Sequence, residues 1–494
     1  MRIRNLDRLV SHGNVEGRKV MCEILEAGLQ AADPYYNTLR LVKVEDGKLY
    51  IGCKDFEAIQ APRSGTDVYD LKKDIDRIFV FGAAKGIQRV ALALEEKLGD
   101  YLTGGRVIAK HGDELLLKKI QVSFGGHPIP DEDCVEGCKK IVEEIKALKL
   151  TERDLVFTIV GNGVSSLLTL PPEGISLSDV KELTRVMQIE KGVSTTELNV
   201  IRNQVDQLKG GRITRLLRPA KMVHILTIDC NYGNTGKVGY PGLTTANIWL
   251  HTLPDASSQK NAGLILSKWD AWDEIAPSIK NYLANATPDM DVLKAPEFEE
   301  MDCRIFGIMP DAIGFIPSAM AKAKELGYAP HLICKSHFLQ ADNVGRFFGN
   351  MAKLCDKENE PFTGPCALFF TGEMLVSVGK NGGVGGRNQE CALTAATVLA
   401  GNPHVVVGAA DTDGTDGPGG VFHEEATKMG VRALSGGVVD GYTMQEAAEK
   451  GVDVKMALQT HGTSNALWSL DCGLWATQNI SLQDIVVAVV QGKE

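Results

Sequence analysis

The chain has 494 residues, which at roughly 100–200 residues per domain allows two to four domains. A net charge of -10 argues against a broad basic face, so no nucleic-acid partner is expected. Eleven scattered cysteines with no CxxC pair argue against a zinc ribbon or a disulfide framework; reduced core thiols point to a cytoplasmic protein.

The start, MRIRNLDRLVSHGN, lacks the apolar stretch of a signal peptide. No later apolar run reaches transmembrane length, so no membrane partner is expected either. Helical periodicity covers 14–31. A hairpin is expected over 39–44 and 48–53, turning at Asp46-Gly47. RIFVF at 77–81 then leads into a small-residue turn and a helix over 86–98. DLVFTIV at 154–160 leads into GNGVSS and another helix, and MVHILTI at 222–228 ends at Asp229. Such alternation predicts βαβ units around a parallel sheet. Residues 255–300, with Pro288 and Pro296, read as mostly helical and as the linker. A second α/β pattern has strands at 304–308, 331–335, 367–371, 375–378 and 405–409. Its helices are expected at 312–326, 389–400, 425–432 and 444–450. The domains expected are therefore 1–290 and 300–494, with the first 50 or so residues free to pack elsewhere.

Five segments carry the chemistry. Gly82-Ala83-Ala84-Lys85-Gly86 follows a strand and opens a helix. Small residues admit a ligand to the backbone and the helix start favours anions; a tight turn with a solvated lysine is the alternative. Gly161, Asn162, Gly163, Ser165 and Ser166 form a second strand-to-helix turn able to cradle phosphates, or a plain connection. It is not a GxxxxGK[ST] loop. Asn199 and Arg202 lie one helical turn apart, and Lys209 and Arg212 flank Gly210-Gly211. These are either an anion site or a capped helix with solvated cations, the latter being the weightier reading of that segment alone. The four glycines of Gly382-Gly383-Val384-Gly385-Gly386 precede Arg387, Asn388 and Glu390 at a helix start. Such a loop loses much backbone freedom on ordering, as a close backbone contact would require, and Arg387 could clamp a carboxylate or phosphate. Asp411, Asp413 and Asp416 follow a strand at an interval that suggests Mg²⁺ or hydroxyl contacts, with capping and turn formation as the alternative.

In this order the motifs resemble those of the type-2 glycerate kinases, whose C-terminal half is of MOFRL type. The likeness runs through GGHPIPDE (125–132), PPEGISL (171–177), ELNVIRNQVDQLKGGRIT (197–214), GGRNQE (385–390) and DTDGTDGP (411–418), nearly the whole chain. The resemblance implies an α/β protein of two domains with largely parallel sheets, Rossmann-like then MOFRL-type, and an active-site cleft between them. It implies ATP and Mg²⁺, with D-glycerate going to 2-phosphoglycerate. Lys85, Arg387 and Asp229 are then the catalytic residues. Lys85 would neutralise the transferring phosphoryl, Arg387 would clamp the acceptor carboxylate, and Asp229 would orient the hydroxyl or hold the metal. Gly82, Gly161, Asn162, Gly163, Ser165, Ser166, Lys209, Gly210, Gly211, Asp413 and Asp416 are the expected cofactor-binding set. Asn199, Arg202, Asn388 and Glu390 are the expected substrate contacts. The partners are a small hydroxy acid and ATP, and a homodimer is left open.

Five loops depart from the family pattern: 84–86, 160–165, 228–234, 246–249 and 476–480. A kinase for a longer sugar acid and a non-catalytic nucleotide sensor therefore stand as rivals. A hydroxypyruvate reductase is disfavoured, because no GxGxxG follows a strand.

Overall fold

In the computed structural model these runs fold into two units, Pro34–Asp311 and the pair of segments Met1–Asp33 and Ala312–Glu494. The structure describes residues 1–54, 56, 58–59, 65–127, 129–230, 242–245, 247–310, 314–336, 339–378, 382–479 and 483–492.

The unit Pro34–Asp311 begins with a helix, Pro34–Leu41, where a strand was expected to start. Strands β1 (Val42–Glu45), β2 (Lys48–Ile51) and β3 (Asp67–Asp70) then make a small antiparallel sheet. Asp46 and Gly47 turn the hairpin with φ of 52° and 71°, the left-handed pair that matches strand twist. Strands β4 (Arg77–Ala83), β5 (Leu102–Lys110), β6 (Gln121–Gly125), β7 (Asp154–Gly161), β8 (Lys221–Cys230) and β9 (Cys303–Pro310) form the main sheet. Its order is β6-β5-β4-β7-β8-β9, parallel throughout. All eight residues of β7 are buried, as expected for a strand covered on both faces. Counted from β4, the order is 3-2-1-4-5-6. It reverses between β4 and β7, and ligands of such sheets bind in the crevice at the strand C-termini at that point.

Two expectations change here. The strand at 304–308 is β9, the edge of this first sheet, not the start of a second one. Residues 255–300 are not a linker. They hold helices Gln259–Lys268, Pro277–Ala284 and Ala295–Glu299. Two parallel strands cannot be joined by a tight turn, and this segment is the long connection from β8 to β9. Its Ala262, Leu266 and Ile279 share a core with Leu198 and Ile201 of helix Thr195–Gln204. Pro296 sits in the first turn of its helix, where a missing N–H costs nothing.

The other unit carries β10 (Ala329–Ser336), β11 (Cys366–Gly372), β12 (Val405–Asp411), β13 (Gly436–Asp440), β14 (Gly473–Leu474) and β15 (Asp484–Val490). Its order is β10-β11-β15-β12-β13-β14. Only β10 and β11 pair in parallel; β15 runs antiparallel to both neighbours, so this sheet is mixed. Residues 375–378, expected as a strand, provide one isolated bridge, Gln340 to Leu375. Helix Val15–Ala31 belongs here. Arg18 Nε lies 2.5 Å from Asp440 Oδ2 with both side chains fully buried, and Arg4 N donates to Trp475 O at 2.8 Å. The expected domains 1–290 and 300–494 thus give way to boundaries after Asp33 and Asp311. Among the described residues no helix is long and apolar enough to cross a membrane.

Candidate active site

Three loops meet at the crevice of the parallel sheet. After β4, Lys85 N donates to Asn162 O, 2.8 Å away in the loop after β7. Gly86 (φ 66°) opens helix Ile87–Leu98 and Gly163 (φ 85°) opens the short helix Val164–Leu167. A Cβ on Gly163 would lie 2.7 Å from Lys85 Cγ and 3.2 Å from His127 Cδ2, which brings in the loop after β6. Ser166 Oγ ties that loop down by donating to Gly126 O at 2.8 Å. Asp131 completes it, accepting from Gly126 N and from Cys134 N of the helix it caps, each at 3.0 Å. The motif GGHPIPDE is thus a turn and a helix cap that deliver His127 beside Lys85.

Gly82 and Gly161 have a different reason to be glycine. Each is a strand residue, and an added Cβ would strike the backbone of Ile159 or the hydroxyl of Thr227. Strand packing accounts for both, where cofactor contact was expected. Asp229 lies near the end of β8, at the same edge of the sheet. Its side chain is outside the described residues, as are 231–241 with Asn231, Tyr232, Asn234 and Thr235, and Ala246 and Ile480.

Beside the β7 loop lies a cavity of about 20 Å³ lined by Ser165, Ser166, Thr169, Arg202, Asp206 and Lys209, among others. Helix Thr195–Gln204 places Arg202 there, as its spacing from Asn199 requires. The guanidinium donates to Thr184 Oγ1 at 3.0 Å and to Asn199 Oδ1 at 3.5 Å. No carboxylate answers its charge among the described residues, and burial draws its pKa down to about 10. Lys209, expected to contact a cofactor, is instead buried and paired with Asp206 Oδ2 at 2.6 Å and Thr169 Oγ1 at 3.0 Å. Gly210 and Gly211 have φ of 60° and 79° and pack against Val292 and Leu293, leaving no room for a Cβ. Arg212 donates to the carbonyls of Asn203, Lys209 and Met290. The Lys-Gly-Gly-Arg turn is therefore an internal clasp, neither a cofactor loop nor a solvated cap. His251, wholly buried, shares a 3.0 Å hydrogen bond with Ser165 Oγ. Burial first, then the charges of Lys209 and Arg202, hold its pKa far below the usual histidine range, so it is neutral.

The second unit gives Arg387 the opposite surroundings. It begins helix Arg387–Leu399, and its Nε lies 2.9 and 2.8 Å from the two oxygens of Asp484. Nη2 donates to Asp411 Oδ2 at 2.8 Å, and Nη1 lies 3.5 Å from Glu373. Burial opposes its charge, but Asp484 and Asp411 outweigh that and raise the pKa above its ordinary value. Asn388 is buried and donates to Asp416 at 3.2 Å and Asp484 at 2.7 Å, while Glu390 pairs with His461 at 2.7 Å. Asp416 accepts from Asn388 N at 3.1 Å and Gln389 N at 2.9 Å, capping the helix from across the fold. Asp413 Oδ1 accepts from Thr415 N at 2.7 Å in a tight turn. Capping and turn formation thus account for interactions of two of the three aspartates. The glycine-rich loop does make close backbone contacts, but with protein. Cβ atoms on Gly383, Gly385 and Gly386 would meet Gly462, Thr463 and Asp416. Arg387 is thus no free clamp, and Asn388 is enclosed within the fold.

Sequence reasoning missed Asp484, Asp411 as a partner of Arg387, Thr184 and His251. Asp484 is the first residue of an otherwise apolar strand, and no interval ties it to Arg387.

Comparison with known proteins fits this geometry. Residues 20–284 match a family described as a domain of unknown function, DUF4147, and residues 366–479 match the MOFRL family. Glycerate 2-kinase of Pyrococcus horikoshii is 28% identical over 96% of this chain and 98% of its own length. D-glycerate 2-kinase of Thermotoga maritima is 31% identical over 84% of this chain and 90% of its own. The chain belongs to the glycerate 2-kinase family. A crystal structure of glycerate kinase from Thermotoga maritima superimposes with a TM-score of 0.71 at 27% identity, covering 96% of this chain and 99% of that one. Membership makes the protein a kinase, a phosphotransferase, with a parallel-sheet unit and a mixed-sheet unit as its α/β fold. The resemblance carried by GGRNQE and GGHPIPDE named the right family.

Proposed function

We propose that the protein transfers the γ-phosphoryl group of ATP to the 2-hydroxyl of D-glycerate, giving 2-phosphoglycerate. The observation that supports this most is the latch of Lys85 N on Asn162 O, which sets a lysine over the crevice of the reversing sheet in a glycerate 2-kinase relative. Phosphoryl transfer asks for positioning and charge neutralisation more than for covalent help. The acceptor oxygen forms a bond to the γ-phosphorus while the bond to the bridging oxygen of ADP breaks, and the hydroxyl proton is released. Lys85 neutralises charge on the transferring group. Asn162, Gly163 and Ser165 line the approach of the phosphates. Asp229, at its strand end, orients the hydroxyl or is the carboxylate that would hold Mg²⁺, an ion commonly bound by one or two carboxylates together with phosphates. Arg387, fixed by Asp484 and Asp411, keeps 23% of its side chain exposed and serves as a rigid charge.

The test is ADP release with ATP, Mg²⁺ and a panel of hydroxy acids running from D-glycerate to four- and six-carbon aldonates, the product position being read by phosphorus–proton coupling in NMR. D-Glycerate turned over to the secondary phosphate ester is the expected result. Preference for a longer aldonate moves the acceptor, and no turnover with any acid leaves the sensor reading.

A further inference from the structure

We propose that the cavity walled by Arg202 is an oxyanion subsite that receives the carboxylate of the acceptor acid. This rests on the kinase reading and names where that reading's substrate is held. It also moves the carboxylate from Arg387, where the motif placed it, to an arginine in the other unit.

Charge bookkeeping in the cavity leaves one positive charge unanswered. Lys209 is matched by Asp206 at 2.6 Å, and His251 is neutral. Among the described residues Arg202 meets only a hydroxyl and an amide oxygen. A half-buried guanidinium without a counter-anion is disfavoured. It is readily understood if the anion comes and goes. The spare donors are there too. A guanidinium has five N–H groups in a planar fork, and the contacts to Thr184 and Asn199 use two. Asn199, fully buried behind Arg202 in the helix and not on the cavity wall, fixes the guanidinium by accepting at its Oδ1. The other polar groups are largely committed: Ser166 to Gly126 O, Thr184 to Val180 O, Thr169 to Ser165 O and Lys209.

Size and charge select the ligand. About 20 Å³ is room for a group of one or two water-sized atoms. One surplus positive charge balances a carboxylate, whereas a phosphate at neutral pH carries nearly two negative charges. The two oxygens of a carboxylate also match the fork of the guanidinium. Location adds the last step. Ser165 and Ser166, on the cavity wall, belong to the same loop as Asn162, which accepts from Lys85 N. An acid seated there has its carboxylate a few residues from the proposed phosphoryl contacts. Arg387, already matched by Asp484 and Asp411, has no such surplus.

Arg202→Gln and Arg202→Lys decide it, with two readouts on the full chain. In steady-state kinetics, Arg202→Gln should raise KM for D-glycerate on the order of ten- to a hundredfold, as loss of a charged hydrogen bond does, with KM for ATP within about twofold. Arg202→Lys should recover part of that loss. In a thermal melt without nucleotide, D-glycerate should stabilise the wild type more than glycerol does, and Arg202→Gln should abolish the difference. A rise in KM for ATP alone would assign the subsite to a nucleotide phosphate and overturn the proposal, as would no change in either constant. Should Arg202→Gln fail to fold, Arg202→Lys carries the same comparison. A wild type that turns over no acid, yet shows the Arg202-dependent glycerate shift, would sink the kinase reading and leave the subsite standing.

Discussion

Two arginines, one in each unit, show what a sequence motif conceals. Arg387 stands in a glycine-rich loop at a helix start and reads as an open clamp, yet Asp484 and Asp411 hold it and Glu373 lies beside it. Arg202 sits in the last turn of its helix and reads as a solvated cation, yet it lines a cavity whose one carboxylate, Asp206, is taken by Lys209, and it pairs with no carboxylate among the described residues. A buried charge that is already matched serves rigidity. One that is unmatched is open to a ligand. What sets them apart is that two distant strand ends, those of β12 and β15, bring Asp411 and Asp484 to Arg387 and not to Arg202.

The comparison breaks most visibly under glutamine substitution. Arg387→Gln strips the counter-charge from Asp484 and Asp411, both buried. Removing one partner of a buried ion pair costs about 3–5 kcal/mol. Tm should fall on the order of 10 °C. Arg202→Gln leaves no carboxylate unmatched, and its Tm should stay within about 2 °C of wild type. Differential scanning calorimetry on the two variants checks this. Equal losses would mean that Arg202 has an anionic partner in the folded chain.

Next in size is Lys85→Ala. A preorganised charge at the reacting group is worth about 2.7–4 kcal/mol, so kcat should drop about a hundred- to a thousandfold. Lys85 lies in a turn and is only partly buried, so Tm should hold. Unchanged kcat would remove it from the mechanism.

The units should also answer acid in opposite senses. His224, a buried residue of β8 in the parallel sheet, is hydrogen-bonded to Thr158 at 2.6 Å and packs 5.7 Å from the ring of Phe298. Burial lowers its pKa to about 3, against 6.5 for a free histidine. Between those values the unfolded chain binds the proton and the folded one does not, so stability falls as pH drops below 6.5. The loss is about 2 kcal/mol by pH 5. In the other unit burial raises Asp416 to about 6, against the pull of Arg387 and its two amide bonds. Here the folded state holds the proton more tightly, so its contribution is lost as pH rises through 6 and regained toward pH 5. Hydrogen exchange at pH 7 and pH 5, corrected for intrinsic rates, should show protection falling in Pro34–Asp311 and rising around β12 and β15. Parallel loss in both would overturn the assignment to these two groups.

How far the sequence could be read follows from range. RIFVF and DLVFTIV announced β4 and β7, and the turns after them, because a strand, a small-residue turn and a helix start lie within ten residues or so. The Asp46-Gly47 hairpin was legible for the same reason. Capping by Asp416 was foreseen in kind. What escaped was long-range. DIVVAVV can be recognised as a buried strand, but nothing in it says that it runs antiparallel between β11 and β12. The assignment of helix Val15–Ala31 to the C-terminal unit depends on Arg18 meeting Asp440, 422 residues away. Gly82, Gly161, Gly210 and Gly211 looked like ligand glycines because close approach to another part of the protein and close approach to a phosphate leave the same mark.

The finest probe of the comparison is Gly163→Ala. Gly163 has φ of 85°, and a left-handed conformation costs a non-glycine residue about 1–2 kcal/mol. The new methyl would also lie 2.7 Å from Lys85 Cγ, the flexible part of a long side chain, which can move aside. The stability loss should therefore stay near 1 kcal/mol, a few degrees in Tm. The displacement falls on the side chain proposed to meet the transferring phosphoryl, whereas the Arg202 cavity is walled by Ser165 and Ser166 further along the loop. So kcat should fall several-fold to tenfold while KM for the acid changes little. The same substitution at Gly385, packed against Thr463 in the other unit, should tell in Tm rather than through Lys85. Measured together, kcat, KM and Tm of these two variants separate a glycine that makes room for a catalytic side chain from one that makes room for the fold. A Gly163→Ala enzyme with wild-type kcat would show that Lys85 tolerates displacement and does not act from the place where the latch to Asn162 holds it.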